Sequence, residues 1–398
     1  MKDHNFSPWP SHTNEEAAVI SDVLLSNKVN YWSSNEALKF EKEFAKWVGS
    51  KYAVAVSNGT VALELSLKSL GISSFDEVIV TSRTYFASVS AIISVGATPV
   101  FADVDYESQN ITIETIKSVL SEKTKAILCV HLAGFPCDMD PIIQLAKQND
   151  LLVIEDCAQA HGARYKDKSV GCLGDIGCWS FCQDKIITTG GEGGMVTTNS
   201  LDLRSKVWSY KDHGKSMEHA YKKDHTIDSE FKWLHYSFGT NARITEMQAA
   251  IGRVQLKHMD VWHKKRVSNM KKILGAAKEC IGLRVPEIPD YVEHAAYKCY
   301  VFVKPNDLMT GWDRGKILKK INELGVPCYT GSCPEVYLEE CFDKTNFRPK
   351  RRMPNAKKLG ETSLMFLVHP TLTNSEIRKT CSVIIRVMKM AVTTPNKT

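Results

Sequence analysis

Residues 151–194 constrain this chain more than any other stretch. Residues 151–154 form a short apolar run of the kind that makes a buried parallel strand, and it ends in two carboxylates, Glu155 and Asp156. A second apolar run, 176–181, stops just before Asp184 and Lys185, and the glycine cluster 190–194 follows. Ligands of an open α/β sheet sit beyond the carboxyl ends of its strands, so Asp156 and Lys185 are expected on one rim. The glycine cluster is no dinucleotide fingerprint. It lacks the GxGxxG spacing and leads into a strand-like run, 195–198, rather than a helix. It reads as a turn that lets backbone pass close to a ligand.

The same alternation runs upstream. Thr13 and Glu16 form a capping pattern for a helix over 13–26, and Asn35 is placed to cap a helix over 36–48. Strands are expected at 52–56, 77–80, 98–102 and 126–130, with helices at 61–70, 87–95, 112–120 and 139–149 between them. Such βαβ units give a mostly parallel sheet covered on both faces, with right-handed crossovers. The turn Ser57-Asn58-Gly59-Thr60 has two readings, a phosphate seat of free N–H groups or simple capping by Ser57 or Asn58. Helices are expected at 201–210 and 244–255, and the polar segment 211–237 between them carries His213, His219, His225 and His235 without metal spacing. It reads as a loop near the site mouth. From about 259 a basic helix, 259–278, leads to short strands such as 299–303 and to helices over 312–324 and 375–390, with a frayed tail from 391. The fold class expected is α/β, a mostly parallel central sheet flanked by helices, with a smaller C-terminal α+β domain. The divisions are an N-terminal segment 1–50, a large domain 51–258 and a small domain 259–398.

Composition narrows the function classes. With 398 residues, 43% hydrophobic and 24% charged, the chain can bury a large core without disulfide or metal staples. The net charge of +6 is mild and its basic residues are dispersed, which argues against nucleic-acid binding and suits an anionic small molecule. The twelve cysteines show neither CxxC pairs nor zinc spacing, so no metal is expected and the thiols read as reduced. No signal-peptide core or membrane-length apolar run stands out, and a cytoplasmic protein is expected. His131, in the loop 131–140, reads as a structural hydrogen-bonder.

An acid and an amine on one sheet rim suit pyridoxal 5'-phosphate (PLP), whose ring nitrogen and aldehyde call for those groups. Three motifs, EDCAQAHGA from Glu155, SFCQDKIITTGGEGG from Ser180 and GTNARITEMQAAIG from Gly239, resemble in residues and order those of the DegT/DnrJ/EryC1/StrS family. The resemblance extends over roughly 29–369. It implies the fold-type I PLP transferase architecture and PLP-dependent transamination of a keto-sugar, most often nucleotide-linked, with glutamate as amino donor, for amino-sugar and surface-polysaccharide synthesis. By the same resemblance Gly59, Thr60 and Ser180 hold the PLP phosphate, and Tyr85 stacks on the ring. Gln159 lies beside the ring oxygen, Asp156 partners the ring nitrogen, and Lys185 holds the aldehyde. Asn241 reaches the phosphate of a neighbouring subunit, which implies a homodimer with shared active sites. His161, Arg243 and His369 are the candidate substrate contacts. Taken alone, Tyr85 reads more readily as core or rim packing, and His369 equally as a loop cap. Relatives that dehydrate sugars carry histidine in place of the lysine, and Lys185 argues against that class. A keto-acid sugar substrate and a non-catalytic PLP-binding regulator are the other readings.

Overall fold

The computed structural model describes residues 6–221 and 234–392. His225 and the tail from 393 lie outside the described residues. Helix α1 (Asn14–Leu25) opens on the expected box between Thr13 and Glu16. Helix α2 (Glu36–Val48) ends at Gly49, whose φ of 82° suits glycine. Asn35 does not cap α2 with its side chain. A distant carboxylate does so instead: Glu246 accepts from the N–H of Glu36 at 2.5 Å and of Ala37 at 3.3 Å. Two oxygens satisfy two donors where an asparagine offers one, so the cap comes from tertiary structure. Glu246→Ala is expected to cost about 1–3 kcal/mol in urea unfolding, and Glu246→Gln less, because two main-chain donors, one of them buried, lose their acceptor.

The large sheet collects β1 (Tyr52–Val56), β2 (Glu77–Thr81), β3 (Thr98–Ala102), β4 (Thr124–Val130) and β5 (Leu152–Asp156). After the short hairpin β6 (Arg164–Tyr165) and β7 (Lys168–Ser169), strands β8 (Ile176–Ser180) and β9 (Gly194–Thr198) complete it. Its order is β1-β9-β8-β5-β4-β2-β3. Strands β3, β2, β4, β5 and β8 are parallel, and β9 is antiparallel to both its neighbours. The physical reason is the connection. A parallel return needs a crossover, usually helical, whereas only the helix-free loop 181–193 joins β8 to β9.

Helices α3 (Gly59–Ser69), α4 (Ala87–Ser94), α5 (Ile113–Lys117), α6 (Met139–Gln148) and α7 (Leu201–Lys211) lie between strands and after the last of them, and α5 is shorter than expected. One core joins Val78, Val80, Leu128 and Ile154 to Leu63 and Leu67 of α3 and Ile92 of α4. The opposite face sets Ile79, Ile127 and Val153 against Ile142 and Leu145 of α6. Covering on both faces explains why these strands read as continuous apolar runs. The segment after α7 holds a short helix, α8 (Met217–Tyr221).

Helix α9 (Glu246–Lys278) runs unbroken for 33 residues. Two helices were expected, but 256–259 contains neither proline nor glycine to stop the first. The division drawn at 258/259 therefore falls inside α9, and both α1 and α2 pack against this helix. Beyond it come β10 (Leu283–Arg284), β11 (Val292–Glu293), β12 (Cys299–Val303), α10 (Arg314–Glu323), β13 (Cys328–Tyr329), α11 (Pro354–Thr362), β14 (Ser363–Phe366) and α12 (Asn374–Ala391). Their sheet is antiparallel, in the order β10-β12-β14-β13, while β11 pairs with β6. Among the described residues, no helix is long and apolar enough to cross a membrane. All twelve cysteines are free thiols.

Candidate active site

A cavity of about 1650 Å³ opens at the carboxyl ends of β5 and β8 and reaches across to the small sheet. Its first wall is the turn before α3. The Asn58 side chain accepts from Val61 N–H at 2.9 Å, so the capping reading holds. The N–H groups of Gly59 and Thr60 open the same helix, where no preceding turn supplies acceptors, and both residues line the cavity. Asn58 thus caps the helix and leaves an anion seat beside it. A Cβ added at Gly59 would stand 2.6 Å from the Ser180 Cβ, so glycine is what brings the end of α3 against Ser180. Ser180 Oγ accepts from Cys182 N–H at 3.3 Å and lines the cavity as well.

Asp156, the last residue of β5, is 6% exposed. Its Oδ2 accepts from Ser88 Oγ at 2.8 Å and its Oδ1 from Ala158 N–H at 3.1 Å, which fixes the carboxylate in the cavity wall. Gln159 Oε1 accepts from Ala133 N–H at 2.8 Å, leaving the amide NH2 as its free donor. Tyr85 stands at the rim, largely exposed. The loop after β8 is tied down by Thr189 Oγ1 donating to the Glu192 carbonyl at 2.6 Å and by Thr188 N–H donating to Gln255 of α9 at 2.9 Å.

Lys185 sits in that loop. Its carbonyl accepts from the Trp9 indole N–H at 2.8 Å, and its Nζ lies 5.3 Å from the centre of the Tyr297 ring. The Tyr297 phenol donates to Asp184 Oδ2 at 2.5 Å. Burial pushes the Asp184 carboxyl up, but Lys185 and the phenol outweigh it and hold the group below the usual range. Burial and the Asp184 charge push the Tyr297 phenol well up, so it stays protonated.

Seven residues marked in the sequence, Gly59, Thr60, Tyr85, Asp156, Gln159, Ser180 and Lys185, thus line one cavity, and His369 joins them. His369 contacts Thr371 Oγ1 through Nδ1 at 2.8 Å, and its ring stacks 6.1 Å from Trp9. Burial, with Arg266 and Lys298 nearby, lowers its pKa to about 3, so it is neutral at physiological pH. Three others lie elsewhere. His161 is fully buried against Trp179 and Phe181, at 5.2 and 5.7 Å between ring centres. Burial, then Lys185 and Arg266, lowers its pKa to about 3. Arg243 donates to Asp212 Oδ1 at 2.5 Å instead of facing the cavity. Asn241 is exposed and bridges to Asp212, outside this chain's own cavity.

Trp9, Arg266, Tyr297 and Lys298 also line the cavity and escaped sequence reading. For Arg266 a signal existed: it shares a buried helical face with Met259, Met270 and Ile273. His131, Glu155 and Cys157 approach metal-site geometry. Glu155, however, already accepts from the N–H groups of Gly171, Leu173 and Gly174, each at 2.8 Å. His131 Nδ1 accepts from Cys137 N–H at 3.0 Å, so its proton is on Nε2 and goes to Glu155 at 3.1 Å. The trio is a structural pin.

An anion seat, a fixed carboxylate and an amine on one cavity are the groups that PLP's phosphate, ring nitrogen and aldehyde require. The chain resembles the aminotransferase from Psychrobacter cryohalolentis, with 56% identity and a TM-score of 0.94 over 97% of this chain and 99% of that one. It is 44% identical to GDP-perosamine synthase of Escherichia coli O157:H7 over 269 residues, 66% of this chain and 69% of that protein. E. coli GDP-4-keto-6-deoxy-D-mannose-3-dehydratase, solved with bound hydrated PLP, matches at 26% identity and a TM-score of 0.84, over 96% of this chain and 99% of that one. The sequence profile of the DegT/DnrJ/EryC1/StrS aminotransferase family matches residues 10–385. The chain therefore belongs to that family and is a PLP-dependent aminotransferase acting in sugar metabolism.

Proposed function

We propose that this enzyme moves the amino group of glutamate to the ketone of a nucleotide-linked sugar in the cytoplasm, for amino-sugar and surface-polysaccharide synthesis. The observation that carries the reading is the reach of the cavity. It runs past Lys185 to Lys319, Tyr329 and Ser332 on the small-sheet side. That leaves room for a ligand far longer than an amino acid, beyond the roughly 300–1,000 Å³ of an ordinary ligand pocket.

Bound PLP supplies an electron sink that makes the carbon next to the transferred nitrogen acidic. The chain's own groups do the rest. Gly59, Thr60 and Ser180 would hold the phosphate, and Asn241 would reach it from the partner in a homodimer with shared sites. Tyr85 and Gln159 line the same cavity, where Tyr85 would cover the ring and Gln159 would offer its amide N–H groups to the ring oxygen. Asp156, fixed by Ser88 and Ala158, presents a carboxylate to the ring nitrogen and keeps it protonated. Lys185 Nζ carries the proton from the donor carbon in one half-reaction and to the sugar carbon in the other. The balance closes: glutamate and ketone become 2-oxoglutarate and amine.

Incubation of pure protein with PLP, glutamate and a panel of keto-sugar nucleotides is expected to release 2-oxoglutarate with at least one of them. Release only with a nucleotide-free keto-acid sugar would overturn the nucleotide assignment. A protein that refuses PLP would overturn the whole reading.

A further inference from the structure

Arg266 projects from α9 into the cavity wall with 1% of its surface exposed, and its Nε and Nη2 have no hydrogen-bond partner. Among the described residues it makes no ion pair. A guanidinium taken out of water without a counter-charge is strongly disfavoured. Burial draws its pKa down to about 9, with Tyr297 and Asp184 opposing. Lys298, half-buried in the same wall, also makes no ion pair among the described residues, and its Nζ lies 4.7 Å from the centre of the Tyr297 ring. Burial lowers its pKa to about 8, against the pull of Asp184.

The acids nearby do not neutralise this wall. Asp184 faces Lys185, Lys298 and Arg266 together, and its Oδ2 already accepts the Tyr297 phenol. Asp156 is bound by Ser88 and Ala158, and Glu323 pairs with Lys320. Glu192 meets the Cys182 thiol at 3.7 Å. One shared carboxylate for three cations leaves a positive wall, open to an anion from the cavity.

We propose that Arg266 and Lys298 form the subsite that receives a carboxylate of the amino donor beside Lys185. This rests on the reading that the donor is an amino acid. Position favours a carboxylate over the diphosphate of a sugar nucleotide. Trp9 joins the two centres, donating its indole N–H to the Lys185 carbonyl at 2.8 Å while the Arg266 guanidinium stands 4.8 Å from its ring. The α-carboxylate of an amino acid is bonded to the very carbon that gives up its nitrogen, so its receptor must flank the lysine. The diphosphate stands several bonds from the ketone and belongs further out. The guanidinium fork takes a planar carboxylate through two parallel hydrogen bonds, as it would a phosphate, so position makes the choice.

The test follows each half-reaction of the holoenzyme separately through the cofactor's absorbance, with glutamate alone and then with the keto-sugar nucleotide. Calorimetry measures glutarate, a dicarboxylate without an amine, and GDP and UDP. Arg266→Met and Lys298→Met are each expected to raise the half-saturating glutamate concentration and the glutarate Kd by about tenfold or more. The sugar half-reaction and nucleotide binding should stay within about twofold, as one lost carboxylate contact predicts. Arg266→Lys should recover part of the loss. Should Arg266→Met fail to fold, Lys298→Met, at a half-buried position, decides alone. Unchanged glutamate and glutarate dependence overturns the subsite, and so does parallel loss of nucleotide binding, which would give these cations to the diphosphate. If wild type ignores glutamate, the donor reading falls, and glutarate binding still decides whether the carboxylate subsite exists.

Discussion

Lys185→Ala is expected to lower turnover by about 10⁴-fold, the upper end of what one positioned proton-transfer group contributes. Covalent capture should vanish with it. Borohydride reduction of the wild-type holoenzyme followed by peptide mapping should tag Lys185, and the variant should carry no tag. The fold should survive. The amine stands over the face of Tyr297, and a partly desolvated cation–π contact is worth roughly 0.5–2 kcal/mol. The loop around it is held by main-chain and neighbouring groups that the substitution leaves alone, the Trp9 indole on the Lys185 carbonyl and Thr189 on Glu192. A tag on any other side chain would remove Lys185 from its role, and so would a variant that keeps turnover at a tenth of wild type.

Asp156→Asn is the second large effect, about 10²- to 10³-fold in turnover with the cofactor still bound. The amide is the same size but carries no charge, so it no longer keeps the ring nitrogen protonated. Stability should fall by only about 1 kcal/mol, because the amide oxygen still accepts from either Ser88 or Ala158 though not from both. Thermal unfolding measured beside steady-state turnover separates the two roles. A variant that loses stability and activity together would make Asp156 a structural anchor. One that loses activity alone places its charge in the chemistry.

Much of this architecture was legible because its signals are local. Helix α2 and strands β1, β3 and β12 fall on the expected residues, since turn residues and apolar runs mark their ends. The rim residues were legible for a topological reason: parallel strands deliver the turns at their carboxyl ends to one edge, so Gly59, Asp156 and Lys185 share a cavity. What escaped depends on distant contacts. Asn35 looked like a cap until Glu246 supplied the acceptors from more than two hundred residues away. The direction of β9 is not written in its apolar run. His161 follows Asp156, Ala158 and Gln159, which line the cavity, yet its ring turns into the aromatic core. Trp9 and Lys298 stand far apart in the sequence and share the cavity only through the tertiary fold.

The unbroken α9 has a mechanical consequence. At about 1.5 Å per residue it is a rod of roughly 50 Å. Its first turns brace α2 and the lysine loop, and its later turns carry Arg266 and support the small sheet. With no joint at 258/259, this strut and the β11–β6 pairing together tie the wall bearing Lys185 to the wall facing it. Accommodation of differently shaped sugars is then expected to fall to side chains and to the loops at either end, with no hinge inside α9 to widen the gap.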